Sequence, residues 1–258
     1  KKPFVPNDKD FTIANLVAET TVPLPEPPKG AFGHGRAYKD WKMLGNGPDN
    51  TVTPGFGGAG DCVLAGGDHE TMLTNKLAGH SVSVDGKCAI SDYSAVTGYV
   101  IGDDSTDQGT EVRTALSYRR RTGLVDIGGA RHKIGAYVLI NPQDWHELMQ
   151  AVYVFTCVGI GFSFPESAME QFDHGMPWDV VEGSPIEGGH YVPVLGRSSA
   201  SVAGVVTWAK RQGMTRAFYE QYNDEAWAIV FPEELRNGKT ERGYDLATLN
   251  AWLKELPA

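Results

Sequence analysis

Long apolar runs are missing from this sequence. No window approaches the roughly 18 to 20 consecutive apolar residues that cross a bilayer, and the opening KKPFVPNDKD has no apolar signal core. No membrane-spanning helix is expected. An excess of positive charge is missing too: 23 Lys and Arg stand against 32 Asp and Glu, a net charge of −9. That leaves little to neutralise a phosphate backbone, so neither nucleic acid nor membrane is expected as a partner. The one basic cluster, Arg119-Arg120-Arg121, is too short for a binding stripe and reads as a solvated helix face. Cysteine is sparse. Cys62, Cys88 and Cys157 cannot all pair within the chain, so at least one thiol should be free.

Metal and nucleotide signatures are also lacking. His69-Glu70 and His146-Glu147 each begin like a zincin motif, but no second His follows at helical spacing, which leaves packing or surface roles. The string GFGGAG at 55–60 fits GxGxxG, yet no apolar strand precedes it and no ribose-binding acid follows from a second strand. No metal or organic cofactor is expected.

What is present is ordinary globular composition, with 41% hydrophobic and 21% charged residues, enough for a sizeable core. Six prolines fall in the first 45 residues, and VPLPEPPKG predicts an extended arm over 1–45 that wraps the body. The body, 46–258, reads as one domain: a helical half over about 46–152, a sheet half over about 153–235, and an amphipathic helix at 245–253 carrying Leu246, Leu249, Trp252 and Leu253. A glycine-dense stretch, 45–67, tightens into a helix that starts at Cys62. The small Ala65, Gly66 and Gly67 in that helix suit close central packing. Helices are predicted over 91–97 and 110–122. Asn141 as N-cap and Pro142 at the first helical position predict another through Val152. Continuous or alternating apolar runs at 154–164, 191–195, 202–208 and 226–231 read as strands, with Thr215 capping a short helix between the last two. Helices first and strands after is the order of a segregated α+β fold.

A cysteine at a helix start has its thiolate favoured by the helix dipole and by unpaired N–H groups that can also hold an oxyanion. It equally suits a small buried apolar residue. Cys62 stands at such a start. Among seven histidines the best-placed base is His190 in EGGHYVPVLG, at a strand start 128 residues later. Cys157, in VFTCVGIGF, reads as core, and Cys88 as a packed or partly exposed thiol.

The blocks GDCVLAGGDHE, GGHYVPVLG, VVTWAKRQGMTRAFYEQY and NDEAWAIV resemble a family of papain-like cysteine peptidases from bacteria and bacteriophages, over about 41–235. The resemblance implies a Cys-bearing central helix, in a helical half, packed on an antiparallel barrel-like sheet. It also implies Cys62 as nucleophile and His190 as general base. Thr207-Trp208 resembles the Ser-Trp after the family's catalytic Asn, but Val206 stands where that Asn is expected. Thr207, or else Asp224, is the candidate to orient the imidazole. Phe56 occupies the usual place of the oxyanion Gln, so Asn46 and Asn50 are the oxyanion candidates. Asp61, directly before Cys62, would oppose thiolate formation if ionised. Two functions follow. One is a cysteine hydrolase cleaving an amide bond in a peptide or cell-wall peptide. The other is an inactive papain-like structural protein of a phage particle or other assembly, held to other virion or assembly proteins through the proline-rich arm. The compartment is not specified by the sequence.

Overall fold

The computed structural model describes residues 1–8, 10–20, 23–33 and 58–233. Period-two alternation builds its centre. Along β9 (Asn223–Val230), Ala226, Ala228 and Val230 face one hydrophobic cluster while Trp227 and Ile229 face another. Along β6 (Ile186–Ser199), Val192 and Val194 divide from Tyr191 and Leu195 in the same way. A sheet with two apolar faces must be covered on both sides, and it is.

The sheet runs in the order β4 (Ala136–Ile140), β9, β5 (Val158–Pro165), β6, β7 (Val202–Thr207), β8 (Lys210–Thr215), with neighbours antiparallel. β1 (Phe32–Gly33) adds to β6 through Phe32 opposite Arg197. Among the described residues β4 and β8 stand at the ends of this antiparallel sheet. A separate ribbon pairs β2 (Leu124–Val125) with β3 (Arg131–His132). One face is covered by α5 (Trp145–Phe155) and α7 (Arg216–Tyr222), the other by α2 (Cys62–Leu77), α3 (Gly86–Thr97) and α4 (Val112–Arg121). The helices-then-strands order of the sequence thus becomes an α+β body with a helical half against the sheet. Among the described residues no helix is long and apolar enough to cross a membrane.

The central helix is buried along nearly its whole length. Residues 62–75 are all buried, which requires small side chains where the sheet comes close. At Gly66 a Cβ would stand 2.7 Å from the Tyr191 ring, so this position admits glycine alone without repacking. The same burial takes in charge. Arg119 donates to the Glu70 carboxylate at 2.6 Å, and the Tyr191 hydroxyl donates to the other Glu70 oxygen at 2.9 Å. The basic triplet is therefore only partly the solvated face expected, because helix phase turns Arg119 inward onto a buried acid. His69 and Glu70 are buried as well, not at the surface.

Local signals were displaced at two points. The Asn141 and Pro142 start is not used. Asp144 caps α5 instead, accepting from the amides of His146 and Glu147 at 2.9 and 3.0 Å. α5 then runs on to Phe155, so the strand expected from 154 begins at Val158. Within the proline-rich arm, α1 (Ile13–Thr20) interrupts the extended chain that was expected. The C-terminal helix expected at 245–253 lies outside the described residues. Thr215 does cap α7, accepting from the Phe218 amide at 3.1 Å.

Candidate active site

Cys62 is the first residue of α2, and the turn before it is fixed from within the helical half. The Gly60 amide donates to Asp107 at 2.8 Å, the Tyr93 hydroxyl donates to the same carboxylate, and the Gly109 amide donates to the Tyr93 oxygen at 3.0 Å. Burial, followed by the bond to Asp107, pushes the Tyr93 hydroxyl pKa upward, keeping it a protonated donor. Asp61 holds the N-cap position with no side-chain capping bond, while its carbonyl accepts from the Leu64 amide at 2.8 Å. The first amides of the helix, including that of Cys62, precede the intrahelical ladder and remain available to an anion.

His190 sits in β6 opposite Phe162 of β5. Its Nε2 is 2.7 Å from the Thr207 hydroxyl. Trp208 lies flat on the ring, with centroids 4.5 Å apart and planes 15° from parallel. The stacking depends on an unusual turn. Thr207 pairs with Lys210, so Trp208 and Ala209 alone connect β7 to β8, both with positive φ (43° and 58°). Two left-handed residues in a two-residue hairpin match strand twist, and the non-glycine side chains there carry a strain that packing must offset. Phe162, Phe164 and Trp178 set their rings edge-on to the imidazole. Burial drives the His190 pKa down to about 3, so the ring is neutral in this arrangement. A neutral ring whose Nε2 is engaged by Thr207 leaves Nδ1 for other chemistry.

The two halves meet over Lys1. Its backbone nitrogen lies 3.4 Å from the Cys62 sulfur and 3.1 Å from the Gly189 carbonyl oxygen, the residue before His190. Cys62 and His190 are both buried, with the Lys1 nitrogen against the sulfur. Of the two side chains weighed for orienting the imidazole, Thr207 is the one bonded to it. Asp224, on β9, instead pairs with the Lys1 ammonium at 2.8 Å. Asn46, Asn50 and Phe56 lie outside the described residues. Cys88 and Cys157 are both buried and outside any disulfide; burial pushes Cys88 up to about 11. Among the described residues no group of three His, Cys, Asp or Glu is placed to hold a metal ion.

Sequence reasoning missed Asp107 and Tyr93, which tie the Cys62 turn to the loop ending at Thr110. Their bonds span 47 and 14 residues, and no local motif announces them.

No family model and no curated protein matches the sequence. Solved structures match the fold. Xylellain, a cysteine protease from Xylella fastidiosa, superimposes with a TM-score of 0.63 at 14% identity, over 89% of this chain and 94% of its own. A digestive procathepsin from Tenebrio molitor larval midgut gives 0.59 at 13% identity, over 89% of this chain and 77% of its own. A Carica candamarcensis cysteine protease in complex with E-64 gives 0.56 at 11% identity, over 80% and 99%. An α+β body with a cysteine heading its central helix and a histidine on the facing sheet has the fold of the papain-like cysteine proteases.

Proposed function

We propose that this chain is a cysteine hydrolase that cleaves an amide bond in a peptide, with Cys62 as nucleophile and His190 as general acid and base. The observation that carries the reading is the meeting of the Cys62 sulfur and the residue before His190 on one backbone nitrogen, that of Lys1. In the reaction, His190 takes the thiol proton as sulfur attacks the carbonyl carbon. The oxyanion is held by the Cys62 amide at the head of α2, and the proton passes to the departing amine. Water then gives a proton to His190 and attacks the thioester. A carboxylic acid leaves and the thiol is restored. Thr207 acts as a positioning residue, fixing tautomer and ring angle through Nε2, and Trp208 shields that bond from water. Lys1 must move off the sulfur before a substrate carbonyl reaches it.

The test combines labelling and turnover. Iodoacetamide should modify Cys62 faster than Cys88 or Cys157, and Cys62→Ala should abolish peptide hydrolysis while leaving the unfolding midpoint within the usual surface-mutation range. Equal, slow labelling of all three thiols with no turnover would overturn the proposal. It would favour the second reading, an inactive scaffold within a larger assembly held through the proline-rich arm. The observation that favours that reading is Asp61, fully buried beside Cys62, whose charge would oppose a thiolate.

A further inference from the structure

Lys1 occupies the cleft in the manner of a bound peptide residue. Its backbone nitrogen donates to the Gly189 carbonyl of the sheet half, and the next amide, Lys2, donates to the Thr110 carbonyl of the helical half at 2.8 Å. Chain lying there is clamped from both sides by main-chain bonds, which any sequence can make. The side chain is where selection enters. It runs over Gly161 of β5, where a Cβ would fall 2.2 Å from Lys1 Cε and 2.7 Å from Glu225 Cγ, so glycine alone leaves the channel open. The ammonium ends 2.8 and 2.9 Å from the two Asp224 oxygens and 3.3 Å from Glu225 Oε1, with the Lys1 side chain only 1% exposed. Glu225 is itself 2% exposed, and its other oxygen accepts from the Trp227 indole at 2.8 Å, which turns Oε1 toward the channel.

Two carboxyl groups face one ammonium, and because burial pushes the Glu225 pKa upward while Lys1 pulls it down, the ionised pocket is held best with a cation in it. A neutral guest would leave the buried Glu225 charge without a cation, and an acidic guest would add repulsion. We propose that this channel is the side-chain subsite of the cleft and selects Lys or Arg, which makes basic peptides the substrate class. The proposal rests on the hydrolase reading for its catalytic meaning but not for its binding meaning. It also gives Asp224 a different task from the imidazole-orienting one weighed from sequence: recognition of the guest's charge.

Binding is tested in the full chain carrying Cys62→Ala and Lys1→Ala, which empties the channel and removes turnover. Calorimetric titration compares Gly-Gly-Lys-Gly-Gly with the same peptide carrying norleucine or glutamate. Lysine should bind at least tenfold tighter than norleucine, the gap should shrink with salt, and adding Asp224→Asn with Glu225→Gln should erase it. Equal affinities, or no lysine-peptide binding into the millimolar range, would overturn the subsite. Gly161→Val, which fills the channel without touching charge, should abolish the lysine preference too, and an intact preference would count against the route described. Turnover is read separately on fluorogenic peptides varied at the two residues preceding the cleaved bond, with Lys or Arg favoured at least tenfold in kcat/KM. Turnover without basic preference defeats the subsite alone. Selective lysine binding with no turnover and an inert Cys62 defeats the hydrolase reading and leaves the subsite standing.

Discussion

Removing one half of the buried Glu70–Arg119 pair is the most demanding test of how the central helix is held. Glu70 is fully buried, and the Arg119 side chain is 2% exposed. Arg119→Met keeps much of the apolar stem volume and removes the cation, leaving the Glu70 carboxyl with only the Tyr191 hydroxyl. Breaking a buried pair in this way costs about 3–5 kcal/mol, a large share of a stability of about 5–15 kcal/mol. The pH dependence discriminates further. Burial already pushes the Glu70 pKa upward against the pull of Arg119, so loss of the cation lifts it further. An unfolded Glu titrates near pH 4.3. Between that value and the folded pKa the folded state holds a proton that the unfolded state has released, so stability falls as pH rises. The window is wider in the variant, and its deficit relative to the natural chain should therefore grow from pH 5 to pH 8. Urea unfolding followed by circular dichroism at three pH values measures this. Adding Glu70→Gln to Arg119→Met should recover at least about 2 kcal/mol, since no buried charge is then left alone. A deficit under about 1 kcal/mol that is flat with pH and unrescued by the double variant would refute the account of the helix core.

Asp144→Ala should lower stability by about 1 kcal/mol through loss of the α5 cap, with Asp144→Asn nearly neutral by the same urea assay. Thr207→Val should reduce kcat and displace the pH–rate profile by freeing the imidazole from its partner, while Thr207→Ser restores both; a drop in stability with an unmoved profile would make Thr207 merely structural. Burial holds His69 at about 4, below an unfolded value of about 6.5. Its contribution is thus complete above the unfolded pKa and is lost as pH falls toward the folded one, by up to about 1.4 kcal/mol per pH unit. His69→Gln should flatten the stability–pH slope between pH 6 and 4 by that amount, and parallel slopes would contradict the burial argument.

How much of this fold could be read in advance depended on whether the deciding interaction was local. The β7 and β9 runs were legible because a strand buried on both faces carries apolar side chains at successive positions, as in Ala226-Trp227-Ala228-Ile229. β8 was not, because KRQGMT carries no such run. It is a strand through its ladder to β7, and that ladder depends on the Trp208-Ala209 turn, whose positive φ values no turn-forming residue signals. The α5 start offered Asn141, Pro142 and Asp144 within four residues, and only tertiary packing selects the last. Arg119 was misplaced for a related reason. A charged triplet has one inward member set by helix phase, and the acid that receives it is 49 residues away.

The candidate site divides along the same line. Cys62 at a helix head and the Thr207-Trp208 pair are visible through their own neighbours, whereas the strand expected to start at His190 begins at Ile186, because the glycines before the histidine are held in the ladder by β5 rather than by any local signal. What surrounds them is long-range. Asp107 fixes the turn before Cys62 from 47 residues away, and Asp224 receives Lys1 across 223. From sequence, Asp224 was the alternative to Thr207 for orienting the candidate histidine, weighed because an acid can fix an imidazole tautomer. Thr207 is the side chain bonded to the ring, and Asp224 meets the ammonium of the lysine that lies over Gly161, which is why binding is the task proposed for it. Reactive groups can be found in a sequence by type and local setting. The selectivity proposed here belongs to a channel whose walls come from β5 and β9 and whose occupant is the start of the chain, so it becomes readable only when those segments are assembled.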